Sequence, residues 1–119
     1  MDQHQHNITT LGLPHHRLRV YKVSLELLAG VRAAQVKDAK LRDEALRAAK
    51  GVCLNIAEGA GRVTRADKAR AYAIARGECV ECVAAVEIAA AAGDARPDAV
   101  AMVVSCGNEV FLMLGALIG

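Results

Sequence analysis

The stretch Asn55-Ile56-Ala57-Glu58-Gly59-Ala60-Gly61-Arg62 decides how this chain is read. It sets two polar residues, Asn55 and Glu58, about one helical turn apart inside an otherwise apolar segment. Two glycines and an arginine follow. Glycine reaches the left-handed backbone conformation used at helix C-termini, so Gly59 and Gly61 are read as a helix stop. Upstream, the stripe Leu41, Ala45, Ala48, Val52 and Ile56 predicts a helix from about Asp38 to Ala60. Downstream, Thr64 with Asp67 three residues on resembles a capping box. It opens a further helix that runs to about Ala92 and stops at Gly93.

Outward from this pair of helices the pattern continues. Leu18, Tyr21, Leu25, Leu28 and Arg32, broadened by Val20, Leu27 and Val31, predict an earlier helix from about Arg17 to Gln35. Pro97 suits the first turn of a last helix, with Asp98 favourable beside it. No strand pattern, internal repeat or linker interrupts the four helices. The expected fold is all-α, an antiparallel up-down-up-down four-helix bundle over residues 15–119. Residues 1–14 are polar and His-rich and read as a flexible N-terminal arm.

Composition supports this. Of 119 residues, 54% are hydrophobic but only 3% aromatic, and much of the apolar content is alanine, the best helix former. Small side chains bury little area each, so one copy makes a thin core and association with further copies is expected. Residues Val110 to Ile118 are apolar on every face, which implies burial all round or contact with lipid. Asn108 and Glu109 in mid-segment disfavour a membrane span, and burial between subunits is the reading adopted. Phe111, Leu112, Met113 and Leu117 are the expected interface residues. The net charge is +2, polarised as +4 over residues 1–50 and −2 over residues 51–119. The four cysteines lie in apolar helical patterns and no signal peptide is evident, so a cytoplasmic location with reduced thiols is expected.

Three places resemble one family. They are Asn55 to Arg62, the run Ile74-Ala75-Arg76-Gly77 followed by Glu81, and the start of the first helix at Leu18, Val20 and Tyr21. Residues 17–119 are similar to the four-helix bundle proteins of 23S rRNA intervening sequences, a fold shared with the diversity-generating retroelement accessory (Avd) proteins. The chain departs from the pattern at Val52-Cys53-Leu54, at Glu78, and at Lys68 and Ala71, where an aromatic anchor is usual. The resemblance implies a homopentamer. It also implies a link to RNA or DNA, a protein partner such as a reverse transcriptase, and no established catalytic activity.

The remaining candidates follow from residue chemistry. Asn55 and Glu58 are read as a structural lock, Asn55 bonding exposed backbone at the helix end and Glu58 pairing a cation such as Arg76 or Arg62, because buried polar groups must be paired. Cys79-Val80-Glu81-Cys82 is a lone CxxC in mid-helix, where no helix N-terminus lowers a thiol pKa, so it reads as core. His4, His6, His15 and His16 could take up a metal only opportunistically, and no metal or cofactor is expected. No histidine follows His16, which excludes the Glu-x-x-His di-iron set of some bundles. The chain is therefore read as a non-enzyme. Phosphate binding is assigned to Arg62, Arg65, Lys68 and Arg70, then to Arg42, Arg47 and Lys50. Aromatic stacking platforms are absent, so such binding would be electrostatic and weakly sequence-specific.

Overall fold

The computed structural model describes residues 12–119. A one-turn 3-10 helix, Pro14–Arg17, leads into α1 (Arg19–Ala33), α2 (Ala39–Gly61), α3 (Arg65–Ala91) and α4 (Pro97–Ile118). Each helix packs along the next in sequence, and α4 returns to pack on α1, as an up-down-up-down bundle requires. The 3-10 turn begins at Pro14, one residue inside the segment expected to be the arm, and packs on α1 and α2. His15 and His16 belong to this turn. Their rings lie 4.2 Å apart at a 44° tilt, and His15 meets Tyr21 edge-on at 4.6 Å. His4 and His6 lie outside the described residues.

Local chemistry sets the helix ends. The Asp38 carboxylate accepts from the Leu41 N–H at 3.0 Å and caps α2. The Thr64 hydroxyl accepts from the Asp67 N–H at 3.1 Å and caps α3. At the end of α3, Gly93 takes φ 78°, its N–H donates to Ala90, and the Asp94 N–H donates to Ala89. That pair of bonds is a Schellman closure. The end of α2 differs from expectation. Neither Gly59 nor Gly61 has a positive φ, and the chain leaves α2 through an extended Arg62. Gly59 is there for space. A Cβ at this position would lie 2.6 Å from Cε1 of Tyr72, so the missing side chain lets the buried Tyr72 ring lie against α2. Tyr72 thus serves as the aromatic anchor near the start of α3.

Alanine and valine dominate the core, and Leu27, Ile56, Leu114 and Tyr72 are its only larger members among the described residues. In α2 the expected stripe holds: Ala45, Ala48, Val52 and Ile56 are fully buried, and Leu41 is partly so. In α1 the stripe is rotated. Val20, Val23, Leu27 and Val31 point inward with Ser24 and Gly30, while Leu25 is 44% exposed. In α4 only Ala99, Val103, Gly107, Val110 and Leu114 are buried. Its other faces leave Met102, Val104, Leu112 and Leu117 at the surface. Within the single chain α4 is therefore not buried all round. It is long and apolar enough to cross a bilayer, and 28% of its most apolar window is inside the bundle.

The two ends of the bundle are unlike. At one end the α1–α2 and α3–α4 loops are clipped together. The Arg96 N–H donates to Ala34 at 2.9 Å and the Lys37 N–H donates to Asp94 at 3.0 Å. At the other end lies the short α2–α3 turn, with Arg65 reaching Gly119 at the end of α4. This second end carries the Asn55 to Arg62 stretch.

Candidate functional site

The last two turns of α2 and the first three of α3 enclose a polar cleft of about 250 Å³. Asn55, Glu58 and Arg62 line it from α2, and Asp67, Arg70, Ala71 and Ile74 from α3. Helical spacing explains the lining. Asn55, Glu58 and Arg62 fall at i, i+3 and i+7, one face of α2. Asp67, Arg70 and Ile74 repeat the same spacing on α3.

Within the cleft, Arg62 donates to the Glu58 carboxylate across one helical turn. Glu58, helped by Asp67, holds the Arg62 guanidinium above its usual pKa. Both side chains of the pair are 49% exposed, so this lock sits at the surface and not in the core. Asn55 does not reach the end of the helix. Its amide donates to the Gly51 carbonyl at 2.8 Å, one turn back. Arg76 is not a partner of Glu58. Its guanidinium lies over the Phe111 ring at 3.9 Å, between α3 and α4 and next to Gly115.

The cations expected to meet phosphate fall into two groups. Lys68 donates to the carbonyls of Ala60 at 2.9 Å and Gly59 at 3.5 Å. It satisfies the open end of α2, which no glycine in a left-handed conformation closes. Arg47 bridges Glu44 at 2.6 Å and Glu81 at 3.3 Å, which ties α2 to α3. Arg42 lies 3.7 Å from Asp43, and Arg62 is held by Glu58. Arg65, Arg70 and Lys50 have no carboxylate partner among the described residues. Arg65 and Arg70 share the exposed first turns of α3; Lys50 lies farther down α2, beside Glu78 and Gly51.

The apolar candidates form a different surface. Phe111 is half-buried beneath Arg76 and lines a groove between α3 and α4 with Val80, Val83 and Val104. Leu112 is 63% exposed. Met113 and Leu117 line a shallow groove with Leu18 and Val20 of the α1 end. The cysteines are reduced, and Cys53, Cys79 and Cys82 are buried. Burial pushes the Cys79 thiol up to about 11 and the Cys82 thiol up to about 12, far from a reactive thiolate at neutral pH. No group of three or more His, Cys, Asp or Glu among the described residues is placed to hold a metal ion.

A family model described as 23S rRNA-intervening sequence protein matches residues 16–116. The chain belongs to this family. The match runs through all four helices, from His16 in the 3-10 turn to Ala116 in the last turn of α4. In this member of the intervening-sequence family, the Asn55 to Arg62 stretch forms one wall of the cleft. A comparison with curated proteins found no match.

Sequence reasoning missed the capping role of Lys68, the Arg47–Glu81 bridge and the Arg76–Phe111 stack. Each joins two different helices, and no spacing within one helix signals such a pair.

Proposed function

We propose that this bundle is a non-enzymatic cytoplasmic protein that assembles into a homo-oligomer, a pentamer, and binds RNA or DNA through basic surface with low sequence specificity. The observation that carries this reading is the pair of guanidiniums, Arg65 and Arg70, on the exposed first turns of α3, neither bridged to a side-chain carboxylate among the described residues. The α3 N-terminus beside them adds its own partial positive charge. The family's name refers to an intervening sequence in 23S rRNA. The pentamer rests on the resemblance to ring-forming bundles and on the exposed apolar faces of α4. A ring would present the α2–α3 turn five times, and phosphate binding strengthens with each contact.

The test is fluorescence anisotropy of a labelled RNA against the protein at several salt concentrations. Affinity should fall steeply with salt. Arg65→Ala with Arg70→Ala should lower the log–log salt slope by about 0.7 per lost single-strand contact and weaken all sequences alike. Lys68 is a poor choice for this test, because its loss also opens the end of α2. No binding by the parent at low salt would remove the reading.

A second reading is favoured by the apolar α3–α4 surface around Val80, Val104 and Leu112. There the ring is an adaptor that docks a protein, such as a reverse transcriptase, with no nucleic-acid role. Absence of RNA and DNA binding together with a retained oligomer would support it.

A further inference from the structure

The cleft at the α2–α3 turn has a charge pattern that a phosphate site would not have. Glu58 and Asp67 face it with two carboxylates, against the guanidiniums of Arg62 and Arg70. A phosphate that entered the cleft itself would face two carboxylates as well as two guanidiniums and so gain no net attraction there, whereas one passing outside it can still meet Arg70. One Glu58 oxygen is taken by Arg62. The other has no hydrogen-bond donor among the described residues, and neither has any Asp67 side-chain oxygen. Arg70 likewise has no acceptor. The cleft thus offers acceptors and donors together, with its formal charges cancelling.

Its size and walls narrow the occupant further. At about 250 Å³ it is smaller than pockets that enclose a drug-sized ligand, ~300–1,000 Å³, and takes one planar group. Ile74, 47% exposed, supplies an apolar wall, and the Arg70 guanidinium supplies a flat polar one. Arginine planes are among the surfaces on which unstacked bases lie, and apolar side chains can close the other face of a base held in a pocket.

We propose that this cleft receives one unstacked nucleobase of a bound single strand, and that Glu58 and Asp67 favour a base carrying an exocyclic amine. The inference rests on the nucleic-acid reading above and deepens it: Arg65, on the same first turn of α3 but outside the cleft, holds backbone while the cleft reads one base edge. Cytosine, adenine and guanine can donate an N–H of their amine to a carboxylate. Uracil has no amine: its one edge donor, N3–H, is flanked by two carbonyl oxygens, so a carboxylate that accepts from it also meets their repulsion. Such a preference leaves most of the bound strand unread, so overall specificity stays low.

The experiment uses the full chain and two labelled single-stranded RNA dodecamers, oligo(C) and oligo(U), by anisotropy at neutral pH and fixed salt. A hydrogen bond to a charged group should favour oligo(C) by about tenfold. In the Glu58→Gln, Asp67→Asn double variant the preference should shrink to near unity while both RNAs bind more tightly, since two negative charges are gone. The side chains replaced are exposed and similar in shape, and unchanged helicity and melting would confirm an intact fold. Equal binding of oligo(C) and oligo(U) by the parent overturns the base site and leaves the phosphate reading standing. A preference that survives in the double variant also overturns it, because the base would then be read elsewhere. No binding of either RNA overturns both.

Discussion

At the residue scale, position inside the Asn55 to Arg62 stretch matters more than polarity. Glu58 is charged, yet its pair with Arg62 is half in solvent. Exposed pairs contribute little because water screens them and two long side chains must be ordered. Gly59 carries no group at all, yet it is buried against the Tyr72 ring. Glu58→Ala should therefore leave the urea midpoint nearly unchanged. Gly59→Ala should cost ~1–3 kcal/mol, the usual range for forcing a methyl into a packed core, despite alanine's better helix propensity. Equilibrium unfolding of both variants checks the contrast. A Glu58→Ala loss as large as that of Gly59→Ala would mean that the carboxylate is buried in the protein in solution. Legibility divided along the same line. The sequence made Asn55, Glu58 and the two glycines conspicuous. It did not say that one glycine is a slot for a ring, because the ring comes from the neighbouring helix.

At the element scale, four helices and their ends were readable because caps, prolines and glycines act within one turn. Faces were readable only where polar residues marked the outside. In α2 charged residues of both signs mark the outer face, so the inner stripe was unambiguous. In α1 the expected face was centred on Leu18, Tyr21, Leu25 and Leu28 with Val20, Leu27 and Val31 at its margin; the structure centres it on the valines and Leu27, and Leu25 turns out to solvent. The observed face mixes Val20, Val23, Leu27 and Val31 with Ser24 and Gly30, small enough for close helix packing. In α4 nearly every face is apolar, so no pattern could separate core from outer surface. The exposed remainder of α4 is a surface that association would cover, each leucine contributing ~1.5–3 kcal/mol if fully buried. Leu112→Glu should leave helicity and the melting of the single bundle nearly unchanged, since Leu112 is 63% exposed. It should shift sedimentation from an oligomer towards the 12.5 kDa monomer. Sedimentation as an oligomer with the same mass as the parent would place the contact elsewhere.

At the scale of the whole molecule, the buried thiols make stability depend on alkaline pH. Cys79 and Cys82 titrate at about 11 and about 12 in the fold, raised from an ordinary 9.0, because burial penalises the thiolate. Below pH 9.0 the neutral thiols contribute in full. Above it the unfolded chain loses protons that the folded chain keeps, so stability falls as pH rises towards about 12. Melting measured from neutral to alkaline pH should show this loss, and a Cys79→Ala, Cys82→Ala variant should show a shallower one. The clip between the α1–α2 and α3–α4 loops has a consequence for motion. It joins the loops of two consecutive helical hairpins, loops far apart in sequence, through the amides of Lys37 and Arg96. Loop amides ordinarily exchange with solvent through small local openings, but these two can open only if the hairpins part. In deuterium exchange they should be protected nearly as well as the centre of α2. The two amides then act as a clock for hairpin separation, and exchange as fast as at neighbouring loop positions would mean that the hairpins part without the rest of the bundle unfolding.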